Sequence, residues 1–109
     1  MATNYKVLGQ SAPAATTATT LYTVPASTQA IVSTISVCNR GTAAATYRIA
    51  VRPAGASLAN QHYLTYDAAL AANSTDMLTI GVSLDTTDVL TVYASNTSLS
   101  FTAFGAEIS

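Results

Sequence analysis

Few side chains in this sequence could perform chemistry, and they form no recognisable catalytic or metal-binding pattern. The chain has one histidine, one cysteine, four basic and five acidic residues among 109. His62 has no second histidine with which to complete a metal site, and the context of Cys38 does not favour a reactive thiolate. Asp85 and Asp88 are close in sequence, but Ca²⁺ takes about six to eight oxygen ligands, so we interpret them as turn caps. We therefore predict no enzymatic activity, no metal and no other cofactor.

The most distinctive charged residues are the two arginines of the segment TYRIAVRP, residues 46–53. Apolar and polar residues alternate there, which predicts a strand with Arg48 and Arg52 on the face opposite the apolar side chains. A guanidinium group can bind a carboxylate or backbone carbonyls through several parallel hydrogen bonds. We predict that Arg48 and Arg52, together with Arg40 in the preceding turn, lie at an interface with another protein chain. The alternative, that these arginines only solubilise one face, stays open.

The elements that carry these residues have the pattern of an all-β protein. Short segments rich in Val, Ile, Thr and Tyr are separated by clusters of Gly, Asn, Asp, Pro and Ser. This spacing predicts an antiparallel β-sandwich, jelly-roll-like or immunoglobulin-like, of about seven to nine strands. We expect a first strand and a polar connector in residues 1–20 and the sandwich in residues 21–109, which together make one domain. Residues 67–75 are predicted to connect two strands with mild helical propensity, and residues 75–84 to form one strand.

The alternation within each predicted strand selects the side chains that should face the core. Cys38, at the end of a strand over residues 29–39, is expected to be a small buried residue. The predicted inward set is Val7, Leu21, Ile31, Ile35, Val37, Tyr47, Ile49, Val51, Leu78, Ile80, Leu90, Val92, Leu99 and Phe101.

Composition excludes several classes of partner. Half of the residues are hydrophobic, only 8% are charged, and the formal net charge is −1. A protein with no basic excess cannot neutralise many phosphates, so we expect binding neither to nucleic acid nor to an anionic membrane surface. The sequence also has no apolar stretch long enough for a transmembrane helix and no signal-peptide pattern at its start, so we predict neither a membrane span nor secretion.

Four segments carry a resemblance to a known class of proteins. They are LYTVPASTQAIVSTISVCNRGTAAATYRIAVRPAG, QHYLTYDAALAANST, DTTDVLTVYAS and FTAFGAEIS, and they span Leu21 to Ser109. This part of the chain resembles small β-sandwich virion structural proteins of tailed bacteriophages, especially cyanophages. The resemblance implies a homo-oligomer, specifically a trimer, that is made in the host cytoplasm and becomes part of the phage particle. It implies no catalytic residue.

Three functions remain open at this point. The first is a capsid decoration or cement protein that binds the major capsid protein of the assembled head and stabilises the shell. The second is a structural or adhesion component of the tail, baseplate or fibre. The third is a carbohydrate-binding module, which the composition favours least because the sequence has no tryptophan for a sugar platform.

Overall fold

The structure is a computed structural model that describes residues 2–109, and this part of the chain is all β apart from two single 3₁₀ turns. The turns are Pro53–Gly55 and Asn60–His62. The nine strands are β1 Thr3–Ser11, β2 Thr19–Thr23, β3 Gln29–Asn39, β4 Ala45–Arg52, β5 Tyr63–Leu70, β6 Thr75–Leu78, β7 Val82–Leu84, β8 Val89–Ala94 and β9 Leu99–Ile108.

The strands form two antiparallel sheets. The five-stranded sheet has the order β1-β9-β3-β6, with β7 also paired to β3, and the four-stranded sheet has the order β2-β8-β4-β5. Every pairing between named strands is antiparallel. The predicted all-β antiparallel sandwich is confirmed, with a strand number within the predicted range.

The core lies between the two sheets and is built from the inward side chains of both. Tyr47 of β4 and Phe101 of β9 meet edge to face at its centre, with ring centroids 6.2 Å apart. Most of the predicted inward residues are buried, and Val51 and Leu78 pack against the core half-buried. The buried ones are Leu21, Ile35, Val37, Tyr47, Ile49, Leu90, Val92, Leu99 and Phe101.

Three residues of the predicted inward set are exposed, and irregularities in the strands explain them. The register of β3 against β9 shifts between Val32 and Thr34, so Ser33 is an extra residue in β3. A β-bulge of this kind reverses the alternation of faces along a strand. Val32 is therefore buried on the same side as Ile35, whereas Ile31 is 45% exposed on the opposite side.

The same physical effect corrects the prediction for β1. Its register against β9 shifts between Val7 and Gly9, which makes Leu8 the extra residue. Leu8 is buried, and Val7 is exposed. The third exception, Ile80, is exposed because it lies outside any strand, in the break between β6 and β7.

The remaining differences concern where strands begin and end. β5 continues to Leu70, through residues that we predicted to be a connection. The predicted strand over residues 75–84 is divided at Gly81, whose positive φ of 59° breaks the extended backbone. Cys38 is not part of the core, since it is half-buried and paired with Ser100 in the row of β9 that faces outward.

The N-terminal residues are integrated into the sandwich. β1 pairs with β9 along its length. At Gly9 the strand approaches the other sheet so closely that a Cβ atom there would lie 2.1 Å from the carbonyl oxygen of Leu21. Ala15, in the predicted polar connector, forms an isolated bridge with Ala94 at the end of β8.

Candidate interaction site

The side chain of Arg48 lies at the centre of a cluster on the outward side of the four-stranded sheet. Its guanidinium carbon is 4.1 Å from the ring centroid of Tyr66 and 4.2 Å from that of Tyr93. The Asp67 carboxylate accepts hydrogen bonds from both sides of the guanidinium fork, from Nε at 2.7 Å and from Nη2 at 3.3 Å. Tyr63 meets Tyr66 edge to face at 4.9 Å. We call these five residues the Arg48 cluster.

Strand pairing and one bulge bring the Arg48 cluster together. Tyr93 of β8 is directly opposite Arg48 of β4 in the antiparallel register. On the other side of β4, Tyr47 pairs with Ala68 and Ile49 with Thr65, so Tyr66 and Asp67 together oppose Arg48. Asp67 adopts a φ of 52°, which aspartate tolerates better than most residues. The bulge allows both an aromatic ring and a carboxylate to reach the same guanidinium.

The electrostatics of the Arg48 cluster fix the arginine in its charged form. Hydrogen bonding to Asp67 raises the pKa of Arg48 further above its already high value, and the charge of Asp67 acts in the same direction. The electron-rich faces of two tyrosine rings also attract a cation. The ring of Tyr66 remains 59% exposed. The cluster is thus a preformed aromatic and polar contact point rather than a mobile charge.

Arg52, the second predicted interface residue, anchors the turn that follows its own strand. Its Nη1 donates to the carbonyl oxygens of Gly55 at 3.2 Å and Ala56 at 2.9 Å, and its Nε donates to Thr91 Oγ1 at 3.1 Å. Asp88 supports the same turn by accepting a hydrogen bond from the backbone N–H of Ala54. The 53–56 turn is therefore held against β4 and β8 by side chains.

Arg40, the third predicted interface residue, connects two turns at one end of the sandwich. Its Nη2 donates to the carbonyl oxygen of Thr97 at 2.9 Å. The preceding residue, Asn39, is buried, and its amide donates to the carbonyl oxygens of Ala43 and Leu70. Arg40 is distant in the fold from the Arg48 cluster, since it follows β3 in the other sheet. The structure thus places Arg48 and Arg52 on one face of the four-stranded sheet and Arg40 elsewhere.

Glu107 forms a second charged group, at the other end of the sandwich. Its carboxylate accepts hydrogen bonds from Tyr22 Oη and from Lys6 Nζ at 3.0 Å. These two hydrogen bonds, that of Tyr22 above all, lower the pKa of Glu107. Burial, reinforced by the hydrogen bond to Glu107, raises the pKa of Tyr22. The group therefore links β1 and β9 of one sheet to β2 of the other.

The other candidate chemical groups serve the fold. The Asp88 carboxylate accepts a hydrogen bond from the backbone N–H of Asp85, as the prediction of a turn cap requires. His62 Nδ1 accepts one from the backbone N–H of Ala59 within its own turn. Tyr47 Oη donates to Asp76, and burial followed by this hydrogen bond raises the pKa of Tyr47.

Neither a cluster of metal ligands nor a membrane-spanning helix occurs in the part of the chain that the structure describes. Within residues 2–109, no three or more His, Cys, Asp or Glu side chains gather closely enough to hold a metal ion. The same residues include no helix with the length and apolarity needed to cross a bilayer.

Sequence reasoning identified Arg48 but not the tyrosines and the aspartate around it. Tyr66 and Asp67 lie 18 and 19 residues further along the chain, and Tyr93 lies on a third strand. Their proximity depends on the strand order and on the bulge in β5. The only sequence signal is the adjacency of Tyr66 and Asp67, an aromatic and an acidic residue, at the predicted boundary between a short strand and the connection over residues 67–75.

Comparison with models of protein families, with curated proteins and with solved structures gives no match for this chain.

Proposed function

We propose that this protein is a non-enzymatic structural component of a tailed-phage virion, and specifically a decoration or cement protein on the outer surface of the head. It binds the major capsid protein of the assembled shell and holds neighbouring shell subunits together. It acts as a homo-oligomer, for which the sequence resemblance suggests a trimer. It requires no cofactor and contacts neither nucleic acid nor membrane.

The observation that carries this proposal is that the chain's few charged side chains form hydrogen bonds within the chain itself. The guanidinium groups of Arg40, Arg48 and Arg52 all donate to acceptors within the chain. The carboxylates of Asp67 and Glu107 likewise have partners within the fold. The other charged side chains, Lys6, Asp76, Asp85 and Asp88, also bind within the fold. We infer that a protein whose charged groups hold its own structure acts through the shape of its surfaces. Together with the resemblance of Leu21–Ser109 to virion structural proteins, this favours a role in assembly.

A charge-poor surface also suits permanent contact with a shell. Burying an ion without a partner is costly, and interface centres contain few charged residues other than arginine. The Arg48 cluster offers the combination that is enriched among the residues contributing most to binding, namely tyrosine with arginine. We assign the contact with the major capsid protein to this cluster and to Arg52 on the same face of the sheet. Arg48 and Arg52 thus stay proposed interface residues, although their hydrogen bonds are made within the chain.

The experiment uses phage heads that lack the protein. Purified protein is added to these heads, and binding is followed by co-sedimentation while shell stability is followed by the temperature of DNA release. We expect saturable binding and a higher release temperature. Tyr66→Ser should weaken binding, and the control Tyr66→Phe, which keeps the ring, should bind like the native protein. Heads that neither bind the protein nor gain stability would contradict the proposal.

A second candidate, an adhesion component of the tail, is favoured by one observation. The exposed ring of Tyr66 lies beside the partly exposed carboxylate of Asp67, and an aromatic ring next to hydrogen-bonding groups is a common arrangement for binding a sugar. A tail protein would be present in a few copies per particle and would bind host-surface glycans. A screen against glycans in which Tyr66→Ser loses a positive signal would favour this role over cementing.

A further inference from the structure

The outward side of the five-stranded sheet carries no charged side chain at any paired position. The antiparallel register defines which residues share this side, because directly opposed residues point in the same direction. We call the set below the uncharged face. Its rows are Thr3–Ile108–Gln29, Tyr5–Ala106–Ile31–Ser83, Val7–Phe104–Thr34, Gln10–Thr102–Ser36–Met77 and Ser100–Cys38–Thr75.

The uncharged face has both a projection and a depression. Tyr5 is 85% exposed and stands on β1, the edge strand of the sheet. Next to it lies a groove of about 730 Å³ that is lined by Tyr5, Ile31, Phe104 and Ala106 and also by Lys6, whose ammonium group binds the Glu107 carboxylate at 3.0 Å. Ala106 pairs with Tyr5 on one side and with Ile31 on the other, and it is only 7% exposed, so it forms the floor. A large aromatic ring is thus positioned beside a groove floored by a small residue.

The outward side of the four-stranded sheet is partly covered by another segment of the same chain. Segment 53–62 packs against β4 and β8, and the Arg48 cluster lies beside it. Ala50 and Thr91, which point outward in the register of that sheet, are consequently buried. The five-stranded sheet has no such cover among the described residues, since Tyr5, Val7, Ile31, Phe104 and Met77 are all exposed.

We propose that the uncharged face binds a second copy of this chain, with Tyr5 of each copy seated in the groove over Ala106 of the other. The paired rows of this face carry no charge, and Lys6 at the groove already binds Glu107, so two copies can meet without burying an unpaired ion. A contact between identical surfaces must be self-complementary, and a projection next to a groove on one face meets that condition. This inference rests on the homo-oligomer in the proposed function. Because each copy contributes the same projection and the same groove, the contact closes as a two-fold pair, whereas the resemblance suggests a trimer.

The size of the uncharged face agrees with such a contact. Four strands at a spacing of about 4.8 Å, each about nine residues long at about 3.3 Å per residue, cover roughly 600 Å². Specific associations bury about 600 to 1,000 Å² per partner. This estimate treats the face as flat, and the protruding Tyr5 side chain and the groove add accessible area to it. The face is therefore large enough for a stable pair.

The test is the mass of the purified protein in solution, measured by light scattering and sedimentation over a dilution series. Ile31→Lys places a charge on the uncharged face, and Leu64→Lys is its matched control because both side chains are 45% exposed and lie on opposite sheets. We expect Ile31→Lys to weaken self-association by roughly thirtyfold or more, as expected for a residue at an interface centre. Leu64→Lys should keep the native mass.

A second variant, Tyr5→Ser, removes the projection at a site so exposed that folding is unaffected, and it should also reduce the mass. Circular dichroism and melting curves confirm that each variant is folded. A native protein that stays monomeric at high concentration would overturn the inference, as would an oligomer that neither Ile31→Lys nor Tyr5→Ser dissociates. Dissociation by Leu64→Lys alone would place the contact on the other sheet. These measurements need no phage heads. Self-association through the uncharged face and binding to heads can therefore be contradicted independently of each other.

Discussion

Replacing each of two isoleucines of β3 by alanine tests the bulge that decides which face is buried. Ile35 is fully buried and Ile31 is 45% exposed, although they are only four residues apart. Removing three carbons from a buried side chain loses about 0.8 kcal/mol per carbon in transfer free energy, and the remaining cavity adds to this. Ile35→Ala should therefore cost about 2 to 5 kcal/mol. Ile31→Ala loses only part of the transfer term and leaves no cavity, so it should cost about 1 kcal/mol or less.

Urea denaturation followed by circular dichroism measures both losses. The protein should be kept dilute, so that self-association through the uncharged face does not contribute to the stability of the native chain. With a slope of about 2 kcal/mol per molar urea, a difference of about 2 kcal/mol separates the two midpoints by about 1 M. Equal slopes for the two variants would show that the midpoints report stability alone.

Similar losses at both positions, or a larger loss for Ile31→Ala, would refute the argument. Either result would mean that β3 keeps regular alternation through Ser33 and that Ile31 faces the core. Val32→Ala is a useful third variant, because the bulge places Val32 on the buried side. The loss in the free energy of unfolding for Val32→Ala should resemble that of other buried residues.

Two further predictions concern the pairing of β9. The hydrogen bonds from Tyr22 and Lys6 lower the folded-state pKa of Glu107. The stability that this carboxylate adds is therefore complete above the usual glutamate pKa of about 4.3, and it is lost as the pH falls from there through the lower pKa of the folded state. Melting temperatures should accordingly decline more steeply below about pH 4 in the native protein than in Glu107→Gln, and parallel pH profiles would contradict this. At Gly105 an added Cβ atom would lie 1.9 Å from the carbonyl oxygen of Ile31. Gly105→Ala should therefore lower the free energy of unfolding, measured by urea denaturation, by about 1 to 3 kcal/mol. An unchanged urea midpoint would show that β3 and β9 separate easily there.

The sequence is sufficient to predict the fold class because the strands are strongly patterned. β3 begins and ends at the predicted residues, 29 and 39, because it is bounded by turn residues and rich in β-branched residues. The connection after Tyr66 was predicted poorly, because the alanines of residues 68–72 favour no strand on their own. Pairing with β4 makes residues 67–70 a strand, which is a tertiary effect.

The exposed and buried faces were less predictable than the strands themselves. A β-bulge has no reliable signature in a segment such as VSTIS, yet it reverses every side chain before it. For this reason Ile31 and Val7 were assigned to the core although they belong to the uncharged face. The Arg48 cluster was out of reach for a related reason, because Asp67 comes into contact with Arg48 only through the bulge in β5.

The most direct test of the proposed function is an image of the particle. The proposed function predicts that cryo-electron microscopy of the virion will show a β-sandwich at many symmetry-related positions on the outer surface of the head. In each pair joined through the uncharged face, the four-stranded sheet of one copy, with Arg48 and Tyr66, should face the shell, and the second copy should lie on the side away from the shell. Density for the protein at the tail alone, or no density on the particle at all, would contradict the account.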